Sequence, residues 1–346
     1  MSLAVSVFGL GYVGCVSAAC LAGQGHEVVG ADVNPTKIDL INEGRSPVVE
    51  ERIGELTASV VASGALRAVD DITEAIATTE VSLVCVGTPS AANGSLSTAY
   101  LERVTEQIGA ALRHVSHRYT VVYRSTMLPG TCEELLLPLL ERVSGRTAGE
   151  DFGLAVNPEY LREGTSVRDF LDPPKTVIGE FDAASGDTVA VLYDGLSAPV
   201  FRVPIALAEL SKYVDNAFHG LKIGFANEVG AVSRAYGLDS HRVMDIFVAD
   251  TKLNISRAYL KPGFAFGGSC LPKDLRGLVH AARRADVAVP ILEHVLVSNE
   301  EHLQRAVRAV VEDRAAPAGA VRSVVQARHG RSAGKPAGGA GRAPAR

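Results

Sequence analysis

The chain has 346 residues, 47% of them hydrophobic and 21% charged, with a formal net charge of −5. A weakly acidic chain offers no global basic field to a nucleic acid, and no apolar run reaches the ~18 residues of a membrane span. Cys15, Cys20, Cys85, Cys132 and Cys270 are odd in number, widely spread and without a CxxC pair, which argues against a disulfide framework or a zinc site. The start, MSLAVSVFGLGYVG, has neither a basic region nor a small-residue cleavage site, so no signal peptide is read and a cytoplasmic location is expected. The length suggests two or three domains.

Residues 3–8, LAVSVF, are apolar and rich in β-branching, the pattern of a buried strand ending at a glycine. Gly9, Gly11 and Gly14 follow in G-x-G-x-x-G spacing, then a helical stretch, then HEVVGAD, a second strand ending at Asp32. This order is the dinucleotide fingerprint. Gly9 permits the tight turn, Gly11 lets backbone N–H groups approach a pyrophosphate, and Gly14 lets helix and strand pack closely. The helix N-terminus offers unpaired donors and the positive dipole end. Asp32 is placed to accept from the adenosine ribose hydroxyls, which predicts NAD rather than NADP. VSLVCVGTP (81–89) and YTVVYRSTMLPGT (119–131) continue the rhythm as further strands. Thr88 and Thr126 stand at their carboxyl ends, where each either faces the cofactor or caps the next helix.

Residues 151–180 read as two strands around a polar loop, NPEYLREG, in which Glu159 and Glu163 are four apart. On a helix both would share a face, as an acid–base pair or as a solvated surface. From 204 to 236 no proline interrupts the chain, and Ala206, Leu210, Tyr213, Val214, Ala217, Leu221 and Phe225 recur at three or four. That predicts a long amphipathic helix, of the kind that links domains or pairs across a dimer. Lys212, Asn216 and His219 stack on one side, lining a site or facing solvent. Cys270 follows two glycines and precedes a helical pattern beginning LPKD. A thiol at a helix N-terminus beside Lys273 has a lowered pKa and fits oxidation past an aldehyde through a thiohemiacetal and a thioester. The competing reading is a small buried hydrophobe.

Together FGLGYVG, the Asp32–Lys37 stretch, VCVGTPS, RSTMLPGT, NPEYLREG, Asn-Glu-Val at 227–229 and GGSCLPKD, spread over residues 3–312, resemble the UDP-glucose/GDP-mannose 6-dehydrogenase family. The resemblance implies NAD as cofactor, two hydride transfers from C6 of a nucleotide sugar, and a homodimer or higher homo-oligomer. FAFGGSCLPKD, GTPSAANGSL and His219 point to the branch acting on GDP-mannose, with UDP-glucose as the alternative substrate. It implies NAD contacts at Tyr12, Val13, Asp32, Lys37, Thr88, Thr126 and Lys273. Cys270 becomes the nucleophile, and Lys212 stabilises charge on the C6 oxygen. Glu163, Lys212, Asn216, His219, Asn227, Tyr259, Lys261 and Phe264 become substrate contacts, and Asp274 tunes Lys273 or the hydrolytic water. Ala258 replaces a tyrosine usual in that branch, and Lys261 an arginine, which loses bidentate phosphate geometry.

The expected architecture is an α/β, doubly wound Rossmann-type domain over 1–203 and a mainly helical central domain over 204–312. Residues 313–346 are rich in Ala, Gly, Arg and Pro without apolar periodicity, a disordered composition. A back-translation of residues 325–341, read one nucleotide out of register, permits Phe-Lys-Pro-Gly-Thr-Asp-Asp-Leu-Arg-Glu-Ser-Pro-Leu. That resembles the motif opening the family's third, Rossmann-like domain. The sequence-level expectation is a frameshifted chain in which the third domain is absent. Such a chain is expected to have little activity or to survive as a non-catalytic NAD-binding or dimerising remnant.

Overall fold

A computed structural model describes residues 1–89, 96–256, 264–267, 271–284 and 286–315. Its contacts divide the chain into two units, Met1–Phe218 and a second that begins at His219.

The first unit is built on β1 (Ala4–Phe8), β2 (Glu27–Ala31), β3 (Leu66–Val69), β4 (Val81–Val84), β5 (Tyr119–Tyr123), β6 (Phe152–Val156), β7 (Thr176–Glu180) and β8 (Val200–Val203). They form one eight-stranded sheet in the order β3-β2-β1-β4-β5-β6-β7-β8. Every neighbouring pair is parallel except β6 with β7. The first six strands therefore follow the doubly wound order, whose switch point lies between β1 and β4. The helices are α1 (Tyr12–Gly23), α2 (Pro35–Asn42), α3 (Ile53–Ala62), α4 (Ile72–Ala77), α5 (Ala99–Leu112), α6 (Leu137–Ser144), α7 (Ser166–Leu171) and α8 (Ala183–Val191).

The pleat sends alternate residues of each strand to opposite layers. Phe8, Val84, Val121 and Leu154 pack with Ile76, Leu101, Ile108 and Leu140 from α4, α5 and α6. Val5, Val7, Leu83 and Val122 pack with Val16, Leu21, Ile41, Val60 and Phe170 from α1, α2, α3 and α7. Burial on both faces explains the uninterrupted apolar runs that mark these strands in the sequence.

The runs at 81–89 and 119–131 carry the sheet a shorter way than their length predicts, stopping at Val84 and Tyr123. Beyond those points the backbone leaves the ladder. Ser125 donates from its hydroxyl to the carbonyl of Val86, 2.6 Å away, and ties the two departing segments together.

The predicted long helix is α9 (Ile205–Ala235), but its buried face is not the predicted one. Ile205, Ala208, Glu209 and Lys212 are buried, whereas Leu207, Leu210, Val214 and Leu221 stay about half exposed. Glu209 shows why a charge belongs on the buried face. Its carboxylate accepts from Gly130 N–H and Cys132 N–H, both at 2.8 Å, where a π-helical turn, Thr131–Leu136, opens without a side-chain cap.

The second unit contains the rest of α9, α10 (Ser240–Val248), α11 (Leu271–Arg284) and α12 (Pro290–Ala315). Val279, Ala282, Val289 and Leu292 make its core, with Phe225, Val232 and Leu275 packed against them. Glu228 of α9 caps α12, accepting from Ile291 N–H at 2.7 Å and Leu292 N–H at 3.0 Å. Among the described residues no helix is long and apolar enough to cross a membrane.

Candidate active site

The site begins at the carboxyl ends of β1 and β4, where the reversal of strand order opens a crevice. Gly9 takes φ +92°, and a Cβ there would meet the Cys85 carbonyl at 3.1 Å. Gly14 is more constrained, since a Cβ would lie 1.9 Å from the Gly9 carbonyl oxygen. Gly11 differs from both, because nothing stands within 4 Å of its Cβ position. It is also the N-cap of α1 and supplies no side-chain cap. The first-turn N–H groups thus open onto free space beside a helix N-terminus, the setting that suits a pyrophosphate.

A cleft of about 360 Å³ lies alongside, lined by Gly9, Gly11, Asp32, Lys37, Gly87 and Tyr100 among others. Asp32 is nearly buried and accepts from Leu10 N–H at 2.7 Å and Asn34 N–H at 2.9 Å. Lys37 reaches the same carboxylate at 3.0 Å. An acid fixed at the end of β2 by backbone donors suits a ribose diol.

A second cleft of about 290 Å³ shares Gly11, Cys85, Val86 and Gly87 with the first and adds Tyr12, Val13, Thr88, Arg124, Thr126 and Glu159. Thr88 donates to the Thr126 carbonyl at 2.9 Å. The N-cap positions of the elements that follow are held by other residues, Thr98 for α5 and Gly130 for the π-helical turn, neither with a side-chain cap, so Thr88 and Thr126 do not cap them.

The two glutamates of NPEYLREG part company. The segment is not helical, so the condition for a shared face fails. Glu159 turns inward, binds Lys212 at 2.8 Å and accepts Leu161 N–H at 2.7 Å. Their side chains are 13% and 10% exposed, so the pair is largely desolvated. Tyr160 packs beneath, with the Lys212 ammonium 5.5 Å from its ring centroid. Glu163 is exposed.

Asn216 is exposed in the first unit, and His219 and Asn227 are exposed in the second. Phe264 is 54% exposed in the second unit. Two residues on, the backbone of Phe266 is bracketed by the Asn299 side-chain amide at 2.8 and 2.9 Å. Tyr259, Lys261 and Cys270 lie outside the described residues, as do the side chains of Lys273 and Asp274 and all residues from 316 onward. Burial pushes Cys15 up to about 11 and Cys20 and Cys85 up to about 12, and it also raises Cys132 well above the usual thiol value. None of these thiols forms an appreciable thiolate at neutral pH.

Two residues absent from the sequence reading join the site. Arg124 is 5% exposed and donates to Asn157 Oδ1 at 2.5 Å and to the Tyr193 hydroxyl at 2.8 Å. It is a buried cation in the wall that also holds Glu159 and Thr126. Glu50 accepts the Tyr12 hydroxyl at 2.7 Å and the N–H groups of Gly164 and Ser166.

Residues 3–197 match the model of the UDP-glucose/GDP-mannose dehydrogenase family, NAD binding domain, and residues 206–301 match the same family's central domain. The chain belongs to the UDP-glucose/GDP-mannose dehydrogenase family. It is accordingly an oxidoreductase that uses NAD on nucleotide sugars, and the open space at Gly11 and the fixed Asp32 carboxylate fit that cofactor. Within the family, a GDP-mannose 6-dehydrogenase of Pseudomonas putida is 52% identical over 302 residues, covering 87% of this chain and 69% of the relative. The crystal structure of a ternary complex of GDP-mannose dehydrogenase from Pseudomonas aeruginosa superposes with TM-score 0.88 at 48% identity, over 90% of this chain and 71% of that one. A UDP-glucose dehydrogenase from Pyrobaculum islandicum reaches TM-score 0.71 at 36% identity, over 91% and 72%. The chain therefore spans about 70% of the length of these family members.

Proposed function

We propose that the chain oxidises C6 of GDP-mannose to the carboxylate, with Cys270 as nucleophile. The observation that carries the choice of sugar is the 48% identity to a GDP-mannose enzyme of known structure against 36% to a UDP-glucose enzyme of known structure. Bound NAD supplies the hydride acceptor, once for the alcohol and once for the adduct on sulfur. The Gly11 turn and the first N–H groups of α1 would hold its pyrophosphate, and Asp32 and Lys37 would fix its adenosine ribose. Tyr12, Val13, Thr88 and Thr126 line the adjoining cleft and would hold the rest of the cofactor.

Lys212 enters as a cation oriented by Glu159. Removing hydride from an alcohol leaves a proton to be lost from the C6 oxygen, and charge builds there in the transition state. A desolvated ammonium close to that oxygen stabilises the charge more than it would in water. The Cys270 thiolate then adds to the aldehyde carbon and gives a thiohemiacetal. Loss of the second hydride leaves a thioester, and water attacks it, releasing the acid and the thiol. In sequence Cys270 immediately precedes α11, which begins at Leu271, and a thiol at a helix N-terminus would be favoured as the thiolate. The high-lying thiols at Cys15, Cys20, Cys85 and Cys132 support assigning this step to Cys270.

The apolar positions left exposed on α9, Leu207, Leu210, Val214 and Leu221, are spaced by three, four and seven and suit a helix from a second copy. We propose that they form the contact between copies in a homodimer or higher homo-oligomer.

The test compares NADH production from GDP-mannose and from UDP-glucose, with acid formation followed in Cys270→Ser. The expected result is a higher kcat/KM for GDP-mannose and no acid from the variant. A preference for UDP-glucose overturns the sugar, and acid formation by the variant at the parent rate overturns the nucleophile.

A further inference from the structure

Glu50 lies in SPVVEER, a stretch with no motif, yet its carboxylate joins segments more than a hundred residues apart. One oxygen accepts both the Tyr12 hydroxyl at 2.7 Å and Gly164 N–H at 2.5 Å, and the other accepts Ser166 N–H at 3.1 Å. Tyr12 closes the arrangement from the other side, since its hydroxyl also lies 3.2 Å from the Arg162 carbonyl. Tyr12 is the first residue of α1 and lines the cofactor cleft. Residues 162–166 carry Glu163 and run into α7.

We infer that Glu50 is a positioning residue that tethers the 162–166 loop, and with it Glu163, to the cofactor-binding end of α1. The inference rests on the nucleotide-sugar reading for what the loop contacts, and on geometry alone for the tether. The loop has a second anchor, because Asp169 accepts from Arg162 N–H at 3.1 Å, from Nε and Nη2 of its guanidinium, and from the Thr165 hydroxyl. That anchor ties the loop to the start of α7, whose Val167 and Phe170 are buried in the core with Val16 and Leu21 of α1. Glu50 adds the direct link from the loop itself to the Tyr12 end of α1. Chemistry agrees with the direction of each bond: burial, with the Glu50 carboxylate beside it, pushes the Tyr12 phenol up to about 12, so it stays a donor.

A tether of this kind places a substrate contact equally for the ground and transition states. Losing it should raise the substrate KM by about tenfold while kcat changes little, the signature of uniform binding. NAD binding should stay within about twofold, because the Gly11 turn, the first N–H groups of α1, Asp32 and Lys37 are untouched by a change at Glu50.

The variants are Glu50→Ala, which removes both acceptors, and Glu50→Gln, which keeps size and one acceptor but turns the other into a donor facing an N–H. For each, KM and kcat for the nucleotide sugar, the NAD Kd by calorimetry and amide exchange at Gly164 and Ser166 are measured. Faster exchange at both amides in Glu50→Ala, with a raised KM and an unchanged NAD Kd, is expected. Glu50→Gln should show the same split more weakly. Amides still protected in Glu50→Ala, amides freed with KM unchanged, or KM and NAD Kd rising together would each overturn the inference. If the parent enzyme turns over no nucleotide sugar, the functional reading fails separately. Amide exchange and NAD binding then decide the tether, freed amides with intact NAD affinity supporting it and protected amides refuting it.

Discussion

Asp32 is a carboxylate held in one orientation by its own backbone surroundings. Two backbone N–H groups and Lys37 hold it at the end of β2, so it is oriented before any ligand arrives. A ribose diol can donate to it, whereas a 2′-phosphate would bring like charge against it. Lys37 offsets part of that repulsion, but it is itself committed to Asp32 at 3.0 Å. Replacing Asp32 by Asn should therefore lower kcat/KM for NAD and raise the NADP-to-NAD ratio by about tenfold, a change of roughly 1.4 kcal/mol in relative binding. Steady-state kinetics with both cofactors reads the ratio directly, and an unchanged ratio would remove Asp32 as the selector. The fingerprint was legible because all its parts are local. Gly9, Gly11, Gly14, Asp32 and Lys37 meet within a single βαβ unit, so spacing alone brings them together. The Glu159–Lys212 pair was not legible. Its partners are 53 positions apart, and the sequence offered a nearer pairing of Glu159 with Glu163 that the non-helical backbone does not make.

Among the elements, the strands β1, β4, β5 and β6 were readable as apolar runs because both faces are buried. β3 was not, since Leu66–Val69 is short and alternates buried with exposed positions. α9 was readable as a helix but not in its buried face, where tertiary partners put Glu209 and Lys212 inside and left leucines out. The 162–166 loop, read from sequence only as polar, is held by two carboxylates. Pairing with Arg162 holds the Asp169 carboxyl below its usual value. At Glu50, burial works against the charge, but hydrogen bonds from Gly164, Tyr12 and Ser166 outweigh it and hold that carboxyl low as well. A carboxyl whose folded pKa is depressed stabilises the fold above its unfolded pKa, and that contribution drains away as pH falls through the folded value. The loop should thus be fixed at neutral pH and release only as pH drops below about 4, the ordinary carboxyl range. Amide exchange at Gly164 and Ser166, corrected for intrinsic rates between roughly pH 6 and pH 3, should show protection lost on acidification. Protection that is constant or grows toward acid would contradict it.

At the scale of the whole molecule, two glycines three residues apart should separate folding from binding. Gly14 has no room: its Cβ would fall 1.9 Å from the Gly9 carbonyl oxygen, which is backbone and has no rotamer to yield. Gly14→Ala must push α1 away from the β1 turn, so it should lower the thermal midpoint of the chain without any ligand. Gly11 is the opposite case. Its φ of −76° and ψ of −163° suit any L-residue, and its Cβ position is empty to 4 Å. Gly11→Val should therefore melt like the parent in the absence of cofactor. What it fills is the space through which a pyrophosphate would reach the N-terminus of α1. A ligand that binds only the folded state stabilises it by RT ln(1 + [L]/Kd), about 2.7 kcal/mol at a hundredfold excess over Kd. The parent should show that upward shift with NAD, and Gly11→Val should show almost none. Scanning calorimetry of the three proteins with and without NAD reads both effects. A Gly11→Val protein that melts early without ligand, or that keeps the full NAD shift, would mean that the space beside Gly11 is not where the pyrophosphate binds.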